Sequence, residues 1–170
     1  MVIHFNHSLQ QALKNIIHND EHHQFIVHED ENIAKNNSTE FVNKYGDCKW
    51  KVVDILNENY GLFLDEPVDL HNWLNFNQND EVAYFLSEAG SNVLNYSQFK
   101  APHKFHLWLG QKGFVLAIEQ KGSGFPAEEV HNNKVKEGEG AAFDFYRNCK
   151  SKIFFDDKDN AKIVYLEYLF

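Results

Sequence analysis

Apolar positions recur along the chain at spacings that name the elements. Leu9, Leu13, Ile16 and Ile17 fall at i, i+4, i+7 and i+8, the stripe of an amphipathic helix. Gln24–Glu29 is a short β-prone run. Asn36–Thr39 then offers N-cap chemistry, and Phe41, Tyr45, Cys48, Val52, Ile55 and Leu56 hold one helical stripe despite Gly46. Gly61 and Pro67 end that pattern, and Leu70–Leu74 fits a helical turn or an extended piece equally well. Asn79 and Asp80 cap a helix running to Tyr96, with Val82, Phe85, Leu86, Ala89, Val93 and Leu94 on its apolar side. Phe105, Leu107 and Leu109 alternate with polar or amphipathic neighbours, and the turn Gly110–Gly113 leads into the apolar run Phe114–Ile118. That is a hairpin. A glycine-rich loop (121–126), a polar stretch and a second glycine pair, Gly138 and Gly140, follow. Ala141–Cys149 is helical in character, and Ile153–Phe155 with Ile163–Phe170 forms a second hairpin.

Composition narrows the class. Of 170 residues, 43% are hydrophobic and 15% aromatic, too much apolar surface for a disordered chain. Phe114–Ile118 is the longest apolar stretch, far short of the ~20 residues of a membrane span. Residues 1–20 lack the basic start and apolar stretch of a signal peptide, so a cytoplasmic protein is expected. Twenty-five acidic against 16 basic residues give a net charge of −9, which repels phosphate backbones, and the lysines form no basic patch. Nucleic acid is therefore not an expected partner. Cys48 and Cys149 have no metal or redox spacing and are expected to be buried free thiols.

Candidate chemistry gathers in the second half. Glu88 and Asn92 stand at i and i+4, on one helix face. An amide oxygen there suits a hard cation such as Mg²⁺, and a carboxylate beside it suits orienting or deprotonating a water. Gly122 and Gly124 follow directly on a strand, and Gly138 and Gly140 open a helix. Glycines let the main chain approach a ligand, and a helix N-terminus offers N–H groups to phosphates. No GxSxG elbow, GxxxxGK[ST] loop, HExxH helix or GxGxxG loop is present.

In order, LSEAGSNVLNY (86–96), AIEQKGSGF (117–125) and GEGAAFDFYRN (138–148) resemble the three boxes of the histidine-kinase-like ATPase superfamily, closest in layout to its anti-sigma-factor kinases. The resemblance covers about residues 79–170. It implies that Asn92 ligates Mg²⁺ on the nucleotide phosphates and that Glu88 is the catalytic base. It also implies that Gly122 and Gly124 pass under the adenine and ribose, that Gly138 and Gly140 give N–H groups to phosphate, and that 126–137 form a lid. Gln120 stands where the family has the Asp that accepts from the adenine amino group. Its amide oxygen still accepts, but without charge. The segment 126–137 has no Arg, only Lys134 and Lys136.

The expected architecture is thus an α/β two-layer sandwich, a mixed β-sheet with helices on one face. Residues 1–78 would be an N-terminal α/β extension and 79–170 the ATPase-like core. The expected function is a cytoplasmic ATP-binding regulatory or signalling module with ATP and Mg²⁺ as cofactors, and an ATP-dependent protein kinase if it is an enzyme. A regulatory protein is the expected partner, with a homodimer also open. The alternative is a degenerate module of the same fold, used for protein contact or phosphotransfer without hydrolysis. Six of the ten histidines lie before residue 29. His7, at the start of the first helix, resembles a phosphoacceptor position but has no partner helix after it. His18, Asp20, His22 and His23 have zinc-like spacing only if that helix continues, which gives a third, metal-binding reading; a solvated helix end accounts for that cluster more simply.

Overall fold

The computed structural model describes residues 3–27, 39–64, 67–71, 81–96, 102–137, 146 and 148–170; the side chains of 39–41, 90–96, 102–103 and 137 lie outside that description. Its elements are α1 (Leu9–Ile16), β1 (His18–Ile26), α2 (Thr39–Tyr60), α3 (Glu81–Tyr96), β2 (Pro102–Gly110), β3 (Gly113–Gln120), α4 (Ala127–Glu137), β4 (Lys152–Phe155) and β5 (Ile163–Leu169). The strands form one sheet in the order β1-β2-β3-β5-β4. The expected two-layer α/β sandwich stands. The sheet is antiparallel at every pairing of these strands, where a mixed one was expected. A parallel bridge between Ile3 and Ile153 lies beside it. The hairpins β2–β3 and β4–β5 require it at two of the four pairings, since a short turn can join only antiparallel neighbours.

Period-two alternation sorts the sheet into two faces. Phe105, Leu107, Leu109, Phe114, Leu116 and Ile118 point toward α2 and α3 and form the main core with Val52, Leu56, Phe85 and Leu86. Val27, Tyr45 and Tyr60 from before residue 78 belong to this same core. Trp108, Val115, Ala117, Phe154 and Tyr165 point the other way and pack on Ala12 and Ile16 of α1. Helices were expected on one face; α1 lies on the opposite one, because its short apolar stripe fits the smaller patch that the polar residues of that face leave.

Local chemistry fixes α1 at both ends. Ser8 and Gln11 form a capping box: Ser8 Oγ accepts from Gln11 N and Gln11 Oε1 accepts from Ser8 N. Ile17 closes the helix in the left-handed region, φ 52°, and the chain turns at once into β1. Ile16 O and Ile17 O then accept from Lys112 N and Gln111 N in the β2–β3 turn. Tyr60 at the end of α2 reaches the same turn, its hydroxyl donating to Gly110 O and accepting from Gly110 N at 2.9 Å. Glu81 in the first turn of α3 accepts from the backbone of Lys150 and Ser151 and from Ser151 Oγ. Both cysteines are buried free thiols, as expected. Burial, with Glu81 next, pushes the Cys149 thiol up to about 12 and leaves it unreactive at neutral pH.

Candidate functional site

β3 is the middle strand of the sheet. Its alternation puts Gln120 in line with Phe114, Leu116 and Ile118 on the side that α3 covers. A polar residue thus ends an apolar row. Gln120 is buried, its N–H donates to Lys162 O, and its Nε2 donates to Ser123 O at 2.9 Å. Because that partner is a carbonyl, the amide must present nitrogen to it, so Oε1 is the atom left to act as an acceptor. Gly122 has φ +88°, a conformation that side chains of L-residues rarely adopt. At Gly124 a Cβ would stand 2.5 Å from Asn160 O, and the next residue, Phe125, exchanges both backbone hydrogen bonds with Ala161. The first glycine segment is therefore stitched to the loop between β4 and β5.

Glu88 is half-buried on α3. Burial, and after it the Glu88 charge, pushes the phenols of Tyr45, Tyr84 and Tyr146 up, so all three stay protonated around the carboxylate. Tyr45 donates its hydroxyl proton to Leu86 O at 2.7 Å, which anchors α2 on α3. Asn92 lies one turn beyond Glu88 on the same helix. Its side chain, with Gly138 and Gly140, falls outside the described residues. The structure thus sets Gln120 on the side of the sheet that α3, the helix of Glu88 and Asn92, covers, with Gly122 two residues beyond it along the chain.

The polar stretch between the glycine pairs is not a loop: Ala127–Glu137 is helix α4. Ala127, Val130 and His131 face inward, while Glu128 and Glu129 in its first turn and Lys134 and Lys136 in its last complement the helix dipole. Its sequence is so polar because only a narrow face is buried.

The histidine expectations change more. His18–Ile26 is a strand, so the helical i,i+4 spacing of His18 and His22 does not form, and His22 and His23 point to opposite faces. The left-handed cap at Ile17 is what ends the helix. His7 is not on an open helix surface; it precedes the Ser8 cap, and its Nε2 lies 2.5 Å from Glu167 Oε2 with the ring edge-on to Phe154. Glu167 is fully buried on β5 and also accepts from Asn15 Nδ2 at 2.9 Å, with Lys152 Nζ at 3.7 Å. Among the described residues no group of three or more His, Cys, Asp or Glu side chains is arranged to hold a metal ion.

Sequence reasoning passed over one polar arrangement. His22 Nε2 lies 3.1 Å from His106 Nδ1, and His106 Nε2 lies 2.6 Å from Glu119 Oε2. Burial, followed by His106, His18 and His23, lowers the His22 pKa. The cue was present, since Lys104, His106 and Trp108 recur at period two opposite the apolar row of β2. The partners were not, because they come from separate strands. No helix among the described residues is long and apolar enough to cross a membrane. No protein-family model matches the chain, and no curated protein sequence matches it significantly.

Proposed function

We propose that the chain is an ATP-binding regulatory module of the histidine-kinase-like ATPase type, working in the cytoplasm. The observation that carries this reading is the shared face: Gln120 ends the middle strand under α3, the helix of Glu88 and Asn92, and Gly122 turns the chain there at φ +88°. Adenine would meet the Gln120 Oε1 acceptor, and Mg²⁺ with the phosphates would meet Asn92. Glu88 would orient the attacking water or hydroxyl.

The test is a calorimetric titration with ATP, with and without Mg²⁺. Asn92→Ala should remove the strengthening by Mg²⁺. Gln120→Leu should weaken ATP by roughly tenfold, the cost of about one buried hydrogen bond. Equal affinity in both variants sinks the placement. Gln120→Asp, the family residue, is a poorer probe, because it withdraws the donor that Ser123 O receives.

A second reading, a retired nucleotide site used for protein contact, rests on Gly124. That glycine is demanded by Asn160 of its own fold, so its presence need not reflect a ligand. Under this reading millimolar ATP leaves the melting temperature unchanged while a protein partner shifts it.

A further inference from the structure

The reverse face carries a polar line that the ATPase reading does not use. His22 on β1, His106 on β2 and Glu119 on β3 lie on one diagonal. His22 pairs with Trp108 and Gln24 with His106, while His106 pairs with Ala117 and Lys104 with Glu119, so each step joins diagonal neighbours on one face. Trp108 holds both imidazoles parallel to itself, His22 at 4.4 Å and 9° and His106 at 5.2 Å and 8° between ring centroids and planes.

Counting protons assigns the nitrogens. Glu119 as a carboxylate only accepts, so His106 Nε2 carries the hydrogen. In the neutral ring Nδ1 is then a lone pair, and it faces His22 Nε2 at 3.1 Å. Two imidazole nitrogens at that separation can share one proton. They can equally share one metal ion: two bonds of about 2.0–2.1 Å meeting at about 90–110° set the nitrogens about 2.9–3.4 Å apart. The two centroids lie 5.3 Å apart, so the nitrogens point almost directly at each other, and admitting the ion takes a swing of the exposed His22 ring that turns its lone pair off that line.

We propose that His22 Nε2 and His106 Nδ1 form a two-imidazole site for a borderline divalent cation of the Zn²⁺ and Cu²⁺ class, with Glu119 as its positioning residue. Glu119 is what sets this pair apart from a chance contact. A carboxylate on the remote N–H of a ligand histidine fixes its tautomer and raises its basicity, the arrangement found behind metal-bound imidazoles. With both rings neutral, loading is a change of tautomer: His22 passes from the Nε2–H to the Nδ1–H form, and Nε2 turns its lone pair to the ion. Imidazole donors disfavour Mg²⁺ and Ca²⁺. With no third His, Cys, Asp or Glu joining them among the described residues, the other coordination positions stay open to water or a small ligand. His22 is exposed on the edge strand, which gives the ion a way in.

The experiment is a titration of the full chain with Zn²⁺ and with Cu²⁺ in a non-chelating buffer, followed by calorimetry and, for Cu²⁺, electron paramagnetic resonance. A saturable site is expected, tighter for Cu²⁺ than for Zn²⁺, with hyperfine coupling from two nitrogens. His22→Ala and His106→Ala should each weaken it at least thirtyfold. Glu119→Gln should weaken it about tenfold with an unchanged melting temperature. His23→Ala, on the opposite face, should leave it as it was. His106 is buried, so if His106→Ala fails to fold, the exposed His22→Ala decides alone. No saturable binding, or binding unchanged by His22→Ala, overturns the proposal and leaves an imidazole–imidazole hydrogen bond. Neither result touches the ATP titration, which probes the other face.

Discussion

Under α2 and α3 the sheet presents Phe105, Leu107, Leu109, Phe114, Leu116 and Ile118, none more than 1% exposed. On its other side it presents His22, His106, Glu119 and Glu167 around Trp108 and Tyr165. The first face is held by apolar area, which is non-directional and large. The second is held by named partners at fixed distances. The hydrophobic effect therefore accounts for α2 and α3 staying on the sheet, whereas α1 depends on its cap, its small apolar stripe and the Glu167 cluster. The contrast also separates chemistry from stability, since on β3 the first face carries one polar side chain, Gln120 at its end.

Truncating the apolar face should do the most damage. Leu116→Ala should cost about 3 kcal/mol in urea unfolding, the transfer loss plus the cavity left behind; a loss below about 1 kcal/mol would show that this face is not the main source of stability. The reverse face should respond less. His7→Ala leaves Glu167 with Asn15 and a distant Lys152, and should cost about 2 kcal/mol, the value of a charged hydrogen bond. A cost as large as that of Leu116→Ala would break the ranking of the two faces. Ser8→Ala should cost about 1 kcal/mol through the lost cap of α1. Trp108 packs against α1, so its fluorescence should change with that variant.

Most elements were legible wherever an apolar stripe is wide. α2, α3 and both hairpins follow from spacing alone, because each buries a full face, and α1 follows from the regular spacing of its narrower stripe. β1 and α4 were not legible in full. β1 begins at His18, not at Gln24, since an edge strand with one solvated side carries few apolar residues, and a register shift between His18 and Glu21 disturbs the alternation. α4 reads as loop because AEEVHNNKVKE buries so little. The antiparallel sheet and the reverse placement of α1 are long-range outcomes that spacing does not encode. For the candidate site, Gln120 and Gly122 could be singled out because they are local to one strand end. The line His22–His106–Glu119 joins three strands, and only the register brings it together.

The turn between β2 and β3 has a use as an instrument. Its two amides, Gln111 and Lys112, donate to Ile17 O and Ile16 O, outside their own hairpin. Their exchange with deuterium therefore clocks how often α1 lifts away, while the amides of Leu116 and Ile118, inside the ladder to the neighbouring strands, clock the opening of the sheet itself. One exchange experiment thus carries a separate timer for each side of the molecule.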